Sequence, residues 1–321
     1  MLVESLAVLA VAFTISLFIS GLERKIQAHI QQRRGPPLTT PGLWSVIKFL
    51  HKEPTEPDSP SSSFYKLLLV LNAVSLVFIL LFTNPLWYGV LGFSSLLGLL
   101  GLLKLEEVSY MLMGSLSRSV MSKSMPFPDT IAGSKLGGAR SYFEDVAAVR
   151  SLKMITFGSF PFYIALLMPF AHVMSMDVEA VLAGPPLIFT LSGLVAAFIY
   201  FIGYNMLINN RPFDIIKPKI DVIEGPVMEY AAGWRGMYYL KKGFSMFVLS
   251  SVFVTLFIGV PPDLSDPGTL VTHMCVALAF PVCASILKAY SPVFTFKQIY
   301  PISLSLTVLG VLALTLNIIG F

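Results

Sequence analysis

With 55% hydrophobic and only 12% charged residues, this chain of 321 residues is too apolar for a soluble domain, in which about a quarter of the residues are charged. Its mean hydropathy of +0.77 agrees, so composition places the chain among membrane proteins, although its length would also fit one or two soluble domains. The net charge of +4 is small, and its distribution along the chain is more informative than its size.

Long apolar segments predict eight transmembrane helices, because a bilayer core of about 30 Å requires about 20 apolar residues per helix. The first segment ends in Glu23, Arg24 and Lys25 rather than in a small-residue cleavage site, so we expect a retained signal-anchor helix. The apolar pattern of the third segment continues past its predicted end to Met113. The predicted spans are residues 2–22, 64–83, 86–103, 152–174, 186–208, 243–260, 268–290 and 300–320.

The basic residues predict the topology. All 22 Lys and Arg residues fall in alternate connections, and basic residues stay on the cytoplasmic side of a membrane. The pattern therefore predicts an all-α polytopic membrane protein with eight transmembrane helices and both termini outside. Residues 1–321 form a single transmembrane domain, with cytoplasmic loops at 23–63, 104–151 and 209–242. The opposite side carries only acidic residues, which are Glu4, Asp177, Glu179, Asp263 and Asp266.

The basic face has two interpretations. Charge-dependent topology and attraction to anionic lipid would account for short basic loops. The first and third loops are long and mix apolar with basic residues, which favours a docking surface for a soluble partner. Forked guanidinium groups suit the carboxylates of such a partner. The candidate docking residues are Arg24, Lys25, Arg33, Arg34 and Arg211.

The sequence carries none of the common catalytic or cofactor motifs. It has no GxGxxG, P-loop, CxxC, HExxH or GxSxG pattern, and its four histidines are scattered. We therefore predict no catalytic residue, no metal site and no cofactor bound by this chain. If the protein serves an oxidoreductase, the electrons travel in another subunit, and this chain is not catalytic alone.

Acidic residues near the membrane boundary are the candidates for proton or ion coupling, because carboxylates at membrane depth commonly mark ion pathways. Four of them lie among apolar residues between the fifth and sixth spans, where a solvated loop is about equally plausible. Two more precede the fourth span, where favourable helix-dipole placement is an equal alternative. Two others count only if the third span continues past them. These candidates are Asp214, Asp221, Glu224 and Glu229, then Glu144 and Asp145, and then Glu106 and Glu107.

Several of these segments resemble the H-subunit family of respiratory complex I. The exit from the first span contains Glu23-Arg24-Lys25 and Gln32-Arg33-Arg34-Gly35-Pro36, and Lys52-Glu53 occupies a similar position before a Pro-rich stretch. The sequence Arg211-Pro212-Phe213-Asp214 resembles a signature between the fifth and sixth spans of that family, with one residue fewer. The resemblance covers essentially the whole chain and implies a membrane-anchor subunit.

Departures from the family pattern indicate the branch. The motif Glu224-Gly-Pro-Val-Met-Glu229-Tyr230 is similar to that of energy-converting membrane-bound [NiFe] hydrogenases and their sulfur-reducing relatives, rather than to that of quinone-reducing enzymes. This resemblance implies that the [NiFe] centre and Fe–S clusters lie in partner subunits. Those partners would be hydrogenase-like large and small subunits, an Fe–S subunit and antiporter-like membrane subunits, assembled in the lipid bilayer of a prokaryotic cell membrane.

Three functions therefore stay open at this point. The first is the anchor and coupling subunit of a membrane-bound hydrogenase or of a sulfane sulfur reductase. The second is the quinone-site subunit of complex I. The third is an independent secondary transporter, a class that often shows inverted repeats and broken helices, whereas no repeat is visible here. No nucleic-acid partner is expected for any of them.

Overall fold

The computed structural model describes residues 2–57, 59, 61–88, 94–118, 142–216 and 224–319, and the described residues are helical with no strand among them. The predicted coupling residue Asp221 lies outside these ranges. In chain order the α-helices are α1 (Leu2–Ile30), α2 (Ser45–Leu50), α3 (Ser62–Phe82), α4 (Leu96–Leu116), α5 (Tyr142–Lys153), α6 (Phe160–Val173), α7 (Val178–Ala183), α8 (Leu191–Leu207), α9 (Ala232–Phe253), α10 (Pro267–Ala277), α11 (Ala279–Tyr290) and α12 (Phe296–Ile319).

Short turns of other helical types extend or join several of these elements. A π-helical stretch at Met154–Gly158 connects α5 to α6, and another at Val254–Ile258 extends α9. Helices α10 and α11 follow each other with Leu278 between them. The segments 144–173, 232–258 and 267–290 are therefore each one continuous helical segment, long enough to cross a membrane.

Six helices among the described residues are long and apolar enough to cross a membrane. Their bounds are Val3–Ile30, Ser62–Phe82, Glu144–Val173, Ala232–Ile258, Pro267–Tyr290 and Phe296–Ile319. Helix α8 is equally apolar but has 17 residues, and α4 carries three charged residues within its length. These two lie at the fifth and third predicted spans. The chain is a multi-pass membrane protein, and the count of eight spans and the outward termini stay predictions.

Two predicted helix ends were wrong. Helix α4 begins at Leu96 rather than at residue 86, because Ser95 caps it by accepting a hydrogen bond from the Gly98 amide. Residues Pro85–Trp87 form a separate 3-10 turn. Helix α9 begins at Ala232 rather than at residue 243, because its charged first turns find partners inside the protein. The predicted loops 104–151 and 209–242 therefore include helical residues from α4, α5 and α9.

Helix α9 forms the centre of the bundle, and α12 lies at its edge. In the most apolar part of each helix, 89% of the residues of α9 are buried inside the protein but only 22% of those of α12. Gly243 permits close contact between α9 and α1, because a Cβ atom there would lie 2.4 Å from the Ser16 carbonyl oxygen. Small residues allow such close backbone approach in membrane bundles.

The chain after α1 folds back along that helix. A Cβ atom at Gly21 would lie 1.8 Å from the Leu38 carbonyl oxygen, and one at Gly42 would lie 1.7 Å from that of Leu17. Only glycine fits at these crossings. The fold-back carries α2 against α9, where Phe49 stacks on Tyr239 with ring centroids 5.5 Å apart. Helix α2 therefore lies beside the turn that precedes α9.

Candidate functional site

Two carboxylates lie side by side in the middle of α4. Glu106 and Glu107 are each 9% exposed, and the helix continues past them to Leu116. The sequence makes them candidates only if the third span continues past them. The helix does continue, but α4 is not among the six helices found able to cross a membrane, so their coupling role stays a prediction. Their burial means that each carboxylate needs a compensating partner, because an isolated buried charge is strongly unfavourable.

Each of these two carboxylates has a lysine as its partner. Glu106 forms an ion pair with Lys241 of α9, whose side chain is 8% exposed. Glu107 pairs with Lys104 one turn earlier, at 2.6 Å, and Lys104 also donates to the Ser159 hydroxyl at 3.2 Å. The first pair joins α4 to the central helix, so it links two helices that are far apart in sequence. Removing one partner of such a buried pair leaves an uncompensated charge.

A small polar cavity separates these helices. Its volume is about 50 Å³, which admits roughly three water molecules. Carboxylates, ammonium groups, hydroxyls and an amide face the cavity together, so proton exchange among them is chemically feasible. It is lined by Glu106, Glu107, Tyr110, Ser151, Met154, Ile155, Ser159, Met206, Leu207, Ile208, Asn209, Ile216, Tyr238, Lys241, Lys242 and Ser245.

A second cluster of charges joins α1 to α11 near α9. Glu23 of α1 pairs with Lys288 of α11 at 2.5 Å, and Lys288 is also within electrostatic reach of Lys242 and Asp214. One carboxylate oxygen of Asp214 is buried and has no hydrogen-bond partner among the described residues. Because Lys242 also lines the polar cavity, the charged groups extend from α4 across α9 to α1 and α11.

The acidic turn before α9 forms a third group. Glu224, in the left-handed region at φ 67°, pairs with Arg235, and Arg235 donates to the Val227 carbonyl oxygen at 2.8 Å. The Glu229 carboxylate accepts a hydrogen bond from the Arg118 backbone amide just beyond α4. The turn is therefore fastened to both α9 and the end of α4.

Aromatic side chains fasten the same turn to α3. The rings of Tyr65 and Tyr230 stack with centroids 4.3 Å apart. Burial raises the pKa of the Tyr230 phenol, and the neighbouring Glu229 adds to this, against a hydrogen bond with Tyr65 that lowers it. Glu144 of α5 is fully buried and lies within electrostatic reach of Tyr65. Asp145 is half-buried at the next position of α5.

Beside the turn lies an open groove with a volume of about 410 Å³. Helix α2 and the residues after it form one wall, and the turn with the start of α9 forms the other. Its charges balance, since Lys52 and Arg235 face Glu53 and Glu224. The groove is lined by Phe49, Lys52, Glu53, Thr55, Glu224, Met228, Tyr230, Ala231, Ala232 and Arg235.

The predicted docking residues are all exposed, as an interface with a partner would require. They are Arg24, Lys25, Arg33, Arg34 and Arg211. Four of them lie along the end of α1 and the turn after it, and Arg211 precedes Pro212 through a cis peptide bond. No contact among the described residues tests their role, so partner docking stays a prediction.

Sequence reasoning missed the basic members of the site. It places Lys104 and Lys241 in cytoplasmic loops, it counts Lys288 with the last cytoplasmic connection, and it assigns Glu23 to the exit motif of the first span. The structure places all four in helices and pairs each with a carboxylate or an ammonium group. The available signal was the rule that ionisable residues next to apolar spans face the bundle interior and pair with one another.

The sequence matches a known protein family along nearly its whole length. The family model described as NADH dehydrogenase matches residues 3–124 and 131–319. An uncharacterized protein of Methanocaldococcus jannaschii is 42% identical over 321 residues, covering 100% of this chain and 99% of that protein. The H subunit of NADH-quinone oxidoreductase from Carboxydothermus hydrogenoformans is 27% identical over 266 residues, covering 81% of this chain and 70% of that protein.

A solved structure shares the fold. It is a chain from the membrane-bound sulfane sulfur reductase, an archaeal respiratory membrane complex, with a TM-score of 0.79. The alignment covers 98% of this chain and 99% of that chain at 19% identity. An identity this low establishes a common fold and leaves the chemistry to the residues themselves.

Proposed function

This chain belongs to the NADH dehydrogenase family, as a member like the H subunit of complex I, and from that membership we propose that it docks a peripheral redox arm and couples its electron transfer to ion translocation. Its relatives are subunits of multisubunit respiratory complexes in the membrane. The proposed role needs no cofactor in this chain. The electrons would travel through Fe–S clusters in partner subunits.

The observation that carries the proposal is the pair of compensated carboxylates on the polar cavity. Glu106 and Lys241 form an acid–base pair buried on both sides, and Glu107 is a buried acid paired with the partly exposed Lys104; both lie next to the apolar spans. Carboxylates in such positions mark proton or ion pathways. The charged groups near Asp214 and Glu23 extend this arrangement toward α1.

Coupling also requires an element whose state both the arm and the ion path influence. The turn containing Glu224 and Glu229 has the required position. It lies between the groove, which opens to the surface, and the ends of α3, α4 and α9. A rearrangement of the arm would reach the buried pairs through this turn.

Two terminal reactions are compatible with this role. The motif around Gly225 and Pro226 is similar to that of membrane-bound [NiFe] hydrogenases. The fold neighbour belongs to a sulfane sulfur reductase complex, which supports sulfur-compound reduction equally. Affinity isolation of the native complex through a tag on this chain, with subunit identification and nickel analysis, separates them. Nickel with ferredoxin-driven hydrogen evolution selects the hydrogenase, and a related arm without nickel selects the sulfur or quinone relatives.

The coupling role is tested in the same isolated complex, reconstituted in liposomes. We expect Glu106→Gln and Asp214→Asn each to lower the number of ions translocated per electron at least twofold. Glu56→Gln is the matched control, because Glu56 is an exposed carboxylate that pairs with Lys66 near the same end of the bundle. An unchanged ratio in both test variants would refute the coupling role, and ion transport by this chain alone would establish a secondary transporter instead.

A further inference from the structure

The turn between α8 and α9 is held to α3 by two reciprocal hydrogen bonds. The Tyr65 hydroxyl donates to the Pro226 carbonyl oxygen at 2.7 Å, and the Tyr230 hydroxyl donates to the Tyr65 carbonyl oxygen, also at 2.7 Å. The two rings stack with an interplanar angle of 15°. Because both hydroxyls are committed to backbone acceptors, the turn and the first turn of α3 move as one body.

Helix α3 continues this connection into the bundle. Asn72 lies two helical turns beyond Tyr65, about 10 Å along the axis, and both side chains are fully buried. The Asn72 amide donates to the Glu106 carbonyl oxygen at 2.8 Å and to the Ser109 hydroxyl at 2.9 Å. The backbone that carries the Glu106 carboxylate is therefore fixed to α3.

The partner of Glu106 is attached to the same turn by a different route. Lys241 lies on α9, which begins two residues after Tyr230. The Glu106–Lys241 pair is thus held by two rigid connections that meet at the turn. One connection runs through α3 and Asn72 to Glu106, and the other runs through α9 to Lys241. A displacement of the turn would change the relative position of the two charges.

We propose that Tyr65, Asn72 and Tyr230 are positioning residues that transmit movement of the Glu224–Tyr230 turn to the Glu106–Lys241 pair. The inference rests on the proposed coupling function and names the residues through which it acts. None of the three exchanges a proton. Each sets the geometry of a carboxylate that does.

The test uses the tagged native complex in liposomes and two side-chain changes that preserve shape. Tyr230→Phe removes the hydroxyl bound to Tyr65 and keeps the stacked ring. Asn72→Leu removes both amide hydrogen bonds and keeps a similar volume. We expect each to lower the ions translocated per electron at least twofold, while complex yield and electron-transfer rate stay within twofold of wild type. If the two residues act in series, the number of ions translocated per electron is no lower in the double variant than in the more impaired single variant.

Matched controls exist on neighbouring helices. Tyr239 carries a hydroxyl without a hydrogen bond to any described residue, and the Asn205 amide donates only within its own helix, to Phe201, among those residues. Tyr239→Phe and Asn205→Leu are therefore expected to keep the wild-type ratio. Three outcomes overturn the inference. The number of ions translocated per electron is unchanged in the test variants, or it falls only where the complex yield falls. In the third, the two losses multiply in the double variant.

A spectroscopic measurement on the full chain in detergent tests the contact directly. The infrared carboxylate band that Glu106→Gln removes is expected to shift in Tyr230→Phe and Asn72→Leu, and to stay in place in both control variants. The two proposals fail differently. If Glu106→Gln leaves the translocation ratio unchanged, the coupling function itself fails. If Glu106→Gln lowers that ratio while Tyr230→Phe and Asn72→Leu do not, only the positioning role fails.

Discussion

Replacing Lys241 by Met removes the ammonium group that compensates Glu106 and retains a long, flexible side chain. The pair is buried on both sides, with side chains 8% and 12% exposed. Removing one partner of a buried pair costs about 3–5 kcal/mol, because the remaining charge is uncompensated. The adjoining cavity lets water approach the carboxylate, so we expect a loss near the lower limit, about 3 kcal/mol. That loss changes the unfolding equilibrium on the order of 100-fold.

The double variant Glu106→Leu/Lys241→Met removes both charges together. Replacing a whole buried ion pair by apolar residues is often neutral or stabilising, so we expect its free energy of unfolding to lie within about 1 kcal/mol of wild type. Reversible unfolding in mixed detergent micelles, followed by circular dichroism, gives the free energy of unfolding of the four proteins in this double-mutant cycle: wild type, Glu106→Leu, Lys241→Met and the double variant. If Lys241→Met costs less than about 1 kcal/mol, or if the two losses add, the ion pair does not stabilise the fold and the reasoning is refuted.

Two further predictions concern the ends and crossings of helices. Gly42→Ala would place its Cβ 1.7 Å from the Leu17 carbonyl oxygen and is expected to destabilise the protein by about 1–3 kcal/mol in the same unfolding assay. The control Gly101→Ala, with open space around it, is expected to stabilise the protein by about 0.5–1 kcal/mol. Equal effects of the two substitutions would contradict the close crossing of the chain at Gly42. Hydrogen bonds from the Thr269 hydroxyl and the Gly268 amide hold the pKa of Asp266 below its ordinary 3.8, so its contribution to the stability of α10 is fully present above pH 3.8 and disappears as the pH falls through the lowered pKa. Amide hydrogen exchange at Gly268 is expected to accelerate in Asp266→Ala at pH 7 but to match wild type under strongly acidic conditions, and an effect independent of pH would refute the capping role.

Apolar periodicity and the sorting of basic residues identify the membrane class and most of the helices in advance. These features are local, because a segment of about 20 apolar residues must cross or face lipid whatever its neighbours are. The acidic residues can also be recognised in advance, since a carboxylate beside an apolar span is unusual in itself. Glu106, Glu107 and Glu144 are buried in the structure, and their role in coupling stays a prediction.

The partners of those acids could not be predicted in the same way. The polar first turns of α9 are typical of a loop, and in the structure they are helical, with Lys241 buried and paired with Glu106 of α4. Tyr65 and Asn72 carry no charge and lie in an apolar run, so no sequence pattern distinguishes them from packing residues. Their roles depend on contacts with Pro226 and Glu106.

Local sequence therefore identifies this chain as a helical membrane protein and indicates its family, because hydropathy and motif spacing are properties of short segments. Tertiary structure sets which charges compensate one another. The residues of the Glu106–Lys241 pair are 135 positions apart, and those of the Glu23–Lys288 pair are 265 positions apart. Contacts at such separations arise only when the bundle closes around α9, since the stability of a buried charge depends on what the fold places beside it.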